Sequence, residues 1–264
     1  MSIDTLPAAR GIAPSPADRP GTREVYDLSL PFRRDMPTYY FYENRYQPPM
    51  FTVFSHLEGT PLGPETKDGY VTHVSFLTHT GTHVDAPRHF REDGQYLHEV
   101  PADRWLGEGP ILSVPKGELE PITADDLERA CAESGLEVRR GDIVGVNTGW
   151  HHRFRGSGED RDGAIVYMER NPGLSRESAE WLVDKGVVTV MIDSPAIDCA
   201  RFMPYGDASF QSHFALFAQN VPAVEGLGGQ LDAVTGRRCL ISCAPVRYEM
   251  GDAFPLRVLA SPLS

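Results

Sequence analysis

Two kinds of apolar pattern frame the chain. Val187 to Asp193 is an unbroken run of strand formers, which predicts a strand buried on both faces. Asp142 to Thr148 predicts a second strand that runs into Gly149-Trp150-His151-His152, and Pro110 to Pro115 a short third one bounded by prolines. Glu24 to Pro31 reads as a first strand closed by its proline. Tyr70 to Thr78 alternates well enough to be a strand that takes in His73 and ends at His79. Cys239 and Cys243 bracket Leu-Ile-Ser in a further strand. Two helices punctuate these. Thr123 is the expected N-cap of one, with Asp125 and Asp126 in its electropositive first turn and Gly135 at its end. Ser175 caps the other, Arg176 to Lys185, whose Ala179, Leu182 and Val183 form a stripe before Gly186 stops it. Strands and helices interleave without a glycine-rich nucleotide fingerprint, so the expected class is mixed α/β: one domain over 23–264 behind an extended or disordered, proline-rich arm at 1–22.

One stretch fits neither period. His79 to His89, with His79, His83, Asp85 and His89 at odd positions, carries four potential ligands in eleven residues. On a straight strand all four would share a face, but at ~3.3 Å per residue His79 and His83 would stand roughly 13 Å apart. Donors that share one ion, each ~2 Å from it, must lie within about 4 Å of one another. The backbone must therefore fold back. Gly81 can supply a positive φ, and Pro87 holds Ala86 extended so that His89 re-enters from a new direction. A single helical turn from His79 to His83 is the alternative, although Thr-Gly-Thr is a poor helix former. A surface loop of ordinary polar residues is the bland reading, and ligand density together with the two bending residues counts against it.

A second stretch offers His213 and Glu225, twelve residues apart. By itself this signal is weak. His213 opens an apolar, helix-like run that Pro222 breaks, and Glu225 follows Val221, Ala223 and Val224, where a free carboxylate is costly to bury unless it is paired or on a metal. Elsewhere, His151 and His152 beside Arg153 and Arg155 read as loop surface, and His98 as solvent-exposed. Asp193 reads either as a turn cap or as an acid that supports a ligand. The aromatic segment Met36 to Tyr42 suits core packing or the wall of a pocket for a flat ring.

The run His79-x-Gly81-Thr82-His83-x-Asp85-x-Pro87-x-His89 resembles the metal-dependent cyclase family, which includes bacterial kynurenine formamidase and isatin hydrolase. That resemblance implies a swivelling β/β/α architecture from about Val25 onward and a metal site of His79, His83, Asp85, His213 and Glu225, with Asp85 and Glu225 able to bridge two ions. Imidazole and carboxylate donors without thiolate suit Zn²⁺ or Mn²⁺. His89 lies beyond Pro87 and has general acid/base as its natural role, which is also its assignment in the resembling hydrolases. Tyr39 is the closest match to an aromatic substrate contact, and Arg88 is placed to pair with an acidic group of substrate or product or to face solvent. The implied reaction is hydrolysis of an aryl formamide or a cyclic amide. Ring closure in aromatic polyketide synthesis is the competing reaction on the same ligands, and a non-catalytic metal-binding scaffold the competing class. The presence of His89 speaks against the scaffold. The resemblance also implies a homodimer or homotetramer.

Charge narrows the partners. A formal charge of −12 and a pI near 5.2 argue against nucleic acid and anionic membrane as partners and leave a small molecule, which the resemblance implies is aromatic, as the expected substrate. No apolar run approaches the ~20 residues of a membrane span, and the arm lacks the apolar core of a secretory signal, so a cytoplasmic location is expected. The four cysteines show no metal or disulfide spacing and are expected as free thiols.

Overall fold

The computed structural model describes residues 24–37, 49–55, 71–156, 158–203 and 209–263. The arm at 1–22 and Tyr39 lie outside the described residues. Thirteen strands follow in chain order: β1 (Tyr26–Asp27), β2 (Met50–Ser55), β3 (Val71–Ser75), β4 (His83–Asp85), β5 (Leu106–Ser113), β6 (Pro121–Ile122), β7 (Ile143–Asn147), β8 (Gly173–Leu174), β9 (Thr189–Ile192), β10 (Ala223–Glu225), β11 (Arg237–Ser242), β12 (Ala253–Pro255) and β13 (Leu259–Pro262). The helices are α1 (Ala124–Ser134), α2 (Arg161–Glu169), α3 (Arg176–Lys185), α4 (Gln211–Phe217) and α5 (Leu231–Val234).

Nine of the described strands make one mixed sheet in the order β1-β13-β11-β5-β7-β9-β10-β4-β12. Its middle is parallel, β5 to β7 to β9 to β10, and both flanks are antiparallel. The apolar runs at 142–148 and 187–193 form the adjacent central strands β7 and β9, as their lack of alternation predicts. Their two-residue period still sorts the side chains. Val144, Val146, Val190 and Ile192 meet Leu127, Ala179, Leu182 and Leu216 on the helix-covered face, while Ile143 and Met191 pack with Ile241, Leu231 and Val224 on the other. At ~1.5–3 kcal/mol for each fully buried aliphatic side chain, these two layers hold the sheet.

Both expected helices form with the expected ends. Thr123 and Asp126 make a reciprocal capping box on α1 and Gly135 closes it in the left-handed region; on α3 the Ser175 hydroxyl accepts from the Ser178 amide and Gly186 closes the end in the same left-handed way. β5 begins at Leu106, earlier than the prolines suggest. At Gly109, β5 runs so close to Ile143 that a Cβ would lie 1.8 Å from its carbonyl oxygen. The stretch 71–75 is a strand, yet it pairs only with β2 and stays largely exposed. The sheet strand of the ligand region is β4 instead. α2 was not legible, since Gly163 interrupts a stripe of only Ala164, Tyr167 and Met168. All four cysteines are free, and burial pushes the Cys239 and Cys243 thiols up to about 11 and about 12.

Candidate metal centre

The run at 79–89 bends where its composition requires. His79 lies in the connection before β4, Gly81 has φ +68°, and a Cβ there would come within 2.7 Å of the Met36 methyl, so only glycine fits. No helical turn joins His79 to His83. His83, Val84 and Asp85 form β4, Ala86 is extended at φ −83°, ψ 155°, and Pro87–His89 turn back as one 3₁₀ turn.

Sheet register supplies the rest. β10 lies antiparallel beside β4 with Glu225 opposite His83 and Ala223 opposite Asp85. Val84 and Val224 join the apolar layer of the other face, so the period of two sends His83, Asp85 and Glu225 together toward the helices. His213, on α4, arrives from that side.

The donors converge at ligand spacing. His79 Nδ1 is 2.9 Å and His83 Nε2 3.2 Å from Asp85 Oδ1, and His213 Nε2 is 3.4 Å from Asp85 Oδ2. Glu225 spans the same two sides, Oε2 at 3.3 Å from His83 Nε2 and Oε1 at 3.2 Å from His213 Nε2. Two donor triads therefore share Asp85: His79, His83 and Asp85 in one, Asp85, His213 and Glu225 in the other. All five expected ligands are brought together. His83 Nε2 and Asp85 Oδ1 are buried without a hydrogen-bond partner, an expensive arrangement for a protein interior and a natural one for atoms that coordinate a cation.

Each histidine is oriented through its other nitrogen. The Gly81 carbonyl accepts from His83 Nδ1 at 2.9 Å, Asp252 Oδ2 stands 2.9 Å from His79 Nε2, and Asp198 Oδ2 faces His213 Nδ1 closely while its Oδ1 accepts from the Ser212 amide. These contacts fix the tautomers that leave His83 Nε2, His79 Nδ1 and His213 Nε2 free for an ion. Asp252 has no signal in the sequence; β12 pairing beside β4 carries it there. Asp198 lies in the connection beyond the end of β9. Asp193, the other candidate acid, instead accepts from His151 Nδ1 at 2.9 Å, and this draws His151 into the interior, against the surface reading; His152 beside it is exposed.

Charge at the centre favours a cation. Burial opposes protonation of the histidines, but the Asp85 carboxylate outweighs it and raises His79 to about 9, and Asp85 with Glu225 raises His83 to about 10. Burial likewise opposes ionisation of Asp85, and the surrounding imidazoles overcome it, holding this carboxyl well below its usual range. His89 goes the other way: burial, helped by neighbouring His79 and His213, lowers it despite Asp85. Its ring centroid is 4.0 Å from that of His79, and its Nε2 is 3.9 Å from Asp85 Oδ2. A neutral imidazole thus stands beside the donors, partly open to solvent. Next to them a small cleft of about 20 Å³ is lined by His79, His83, Met36, Phe154, Tyr167 and Met168. Arg88 stacks 5.0 Å over the Tyr96 ring.

Known proteins resemble the chain in sequence and fold. The chain is 26% identical to a kynurenine formamidase of Bacillus thuringiensis (strain Al Hakam), over 92% of this chain and 99% of that one. An isatin hydrolase bound to the product analogue thioisatinate has the same fold, at TM-score 0.77 and 21% identity over 91% of this chain and 93% of that one. A structure from Bacillus stearothermophilus, described as a predicted metal-dependent hydrolase, superposes at TM-score 0.65 with 26% identity, over 91% and 98%. The family model for cyclases matches residues 26–199, which take in the whole 79–89 run, and the chain belongs to the cyclase family.

Proposed function

We propose that the chain is a metal-dependent amidohydrolase that opens the C–N bond of an aryl formamide or a cyclic amide. The observation that carries this reading is the pair of donor triads joined through Asp85, with two buried donor atoms that have no hydrogen-bond partner, beside a neutral His89. Relatives that match nearly full length include kynurenine formamidases, which favours hydrolysis over ring closure.

His79, His83, Asp85, His213 and Glu225 would hold one or two Zn²⁺ or Mn²⁺ ions, Asp85 and Glu225 each offering one oxygen to either side. A divalent ion supplies Lewis acidity, making hydroxide available near neutral pH and polarising a carbonyl oxygen. His89 takes the water proton at a ring nitrogen and delivers it to the departing nitrogen as the C–N bond breaks, releasing an acid and an amine. Asp198, Asp252 and the Gly81 carbonyl hold the ligand rings still. Met36, Phe154 and Met168 give the cleft the apolar walls that a flat ring needs, with Tyr39 as the proposed stacking partner. Arg88, held over Tyr96, would meet an acidic group of substrate or product only from that position. Among the described residues no helix is long and apolar enough to cross a membrane; we take the chain to act in the cytoplasm as a homodimer or homotetramer, which sedimentation of the purified protein would check.

The deciding experiment assays the metal-loaded protein on N-formylkynurenine, isatin and simple lactams, before and after chelation. Hydrolysis of one of these that stops on chelation and returns with Zn²⁺ or Mn²⁺ is expected. Turnover that survives complete metal removal would sink the reading, and turnover of a poly-β-ketone alone would make the protein a cyclase.

A further inference from the structure

Away from the cleft, one more group of side chains has the donor chemistry of a metal site. His151 and His152 occupy the 3₁₀ turn Trp150–Arg153 that leaves β7, and Asp232 sits on α5. His151 Nε2 is 3.4 Å from Asp232 Oδ1 and His152 Nε2 is 3.1 Å from Asp232 Oδ2, with the two imidazole centroids 4.0 Å apart. Donors ~2 Å from one tetrahedral zinc stand about 3.3 Å from each other, so these separations match an ion as well as those of the central cluster.

The group is also built. Asp193, fully buried at the end of β9, accepts from His151 Nδ1 and from the amide and hydroxyl of Thr148, at 2.9, 2.9 and 2.7 Å. This leaves the His151 Nε2 lone pair facing Asp232, the arrangement that Asp198 imposes on His213. Asn147 Nδ2 donates to Asp232 Oδ1 at 3.0 Å, which fixes the carboxylate in turn. An open cleft beside the group, lined by Asn147, Thr148 and Asp232, leaves room for water or an anion on an ion's remaining positions.

We propose that His151, His152 and Asp232 form a second, peripheral divalent-metal site, suited to Zn²⁺, that clamps α5 to the ends of β7 and β9. Its role is structural, since its three donors take no part in the proposed reaction. Equilibrium dialysis against Zn²⁺ followed by elemental analysis tests this on the wild type, His152→Ala and Asp232→Asn. Each variant is expected to hold one ion fewer per chain, to show a smaller zinc-induced rise in Tm, and to keep turnover within about twofold. An Asp85→Asn chain, whose central cluster is broken, should still bind zinc and lose it when His152→Ala is added. Equal zinc content in the wild type and both variants overturns the site. So does a loss of zinc that takes turnover with it, because the side chains would then serve the central cluster.

Tyr167 carries a separate inference, which rests on the proposed reaction. Its side chain is 2% exposed and its hydroxyl has no hydrogen-bond partner, although it lines the same cleft as His79 and His83. A buried, unpartnered phenol is less stable than the phenylalanine that would fill the same space. Burial, and then the charges of Asp193 and Glu225, push its pKa up, so the group stays protonated and can only donate or accept as a neutral hydroxyl. We infer that the Tyr167 hydroxyl donates a hydrogen bond to the carbonyl oxygen of the substrate in the cleft. Tyr167→Phe should lower kcat about 10–100-fold while metal content stays level and Tm stays level or rises. Undiminished kcat, or a fall in kcat accompanied by lost metal or a lower Tm, overturns this role. A wild type inactive on the whole amide panel would instead count against the reaction itself.

Discussion

Among the described residues, two clusters of imidazole and carboxylate differ mainly in burial. In the central one, His83, Asp85, His213 and Glu225 are each at most 3% exposed, and two carboxylates face three imidazoles. In the peripheral one, the side chains of His152 and Asp232 are 63% and 58% exposed, and water screens what they feel. Both use the same device, a buried carboxylate behind a histidine: Asp198 behind His213, Asp193 behind His151. Burial turns that device into a demand. The central carboxylates cannot be left without positive charge, which protons supply when no ion does, whereas the peripheral ones can be satisfied by solvent.

The sharpest way to break this contrast is to remove the shared carboxylate. Asp85→Asn touches both central triads and should abolish metal-dependent turnover by more than about 10⁴-fold, with central metal lost alongside; Asp232→Asn should lose only the peripheral ion and keep turnover within about twofold. Next, His89→Ala should retain its metal and lose about 10²–10⁴-fold in kcat, and equal loss of metal would make His89 a ligand. Smaller again, Asp198→Asn should weaken central metal affinity about 10–100-fold in a competition titration, by loosening His213 rather than removing a donor.

The smallest effect is in pH. Since His79 and His83 are raised to about 9 and about 10, both hold protons near neutrality when no ion is present, and an ion must displace them. Apparent affinity should climb between pH 6 and 9, by about tenfold per unit for each proton displaced, with proton release seen by calorimetry in two buffers of different ionisation heat. Both values lie above the ordinary one, so their share of the ion-free chain's stability is complete below about pH 6.5 and is lost as pH rises through about 9 to 10. Melting curves should show the ion-free protein weakening over that window and the loaded protein weakening less. Equal slopes would mean that protons and ions do not compete for these rings.

Much of the local structure was legible because its causes are local. Thr123, Gly135, Ser175 and Gly186 end their helices through backbone geometry that depends on a few neighbours, and the bend at Gly81 follows from the reach of the backbone. What escaped depends on remote pairing. Leu106 to Gly109 became strand because β11 lies along it, Asp252 entered the site because β12 pairs with β4, and His151 turned inward because Asp193 waits at the end of β9. Tyr167 gave no signal, since a single tyrosine in a weak helix looks like core until the cleft beside it is seen.

By itself the sequence determined the donor types, the local bend that lets His79, His83 and Asp85 meet, and the placement of His89 beyond a proline. Residue identity and short-range sterics suffice for these. Only the tertiary structure decided that Glu225 stands opposite His83, that His213 closes the cluster from α4, and that Asp198 and Asp252 aim the rings. A one-residue slip of β10 against β4 would send Glu225 to the other face, and that register is held by Val84 and Val224 in a core assembled from the whole chain.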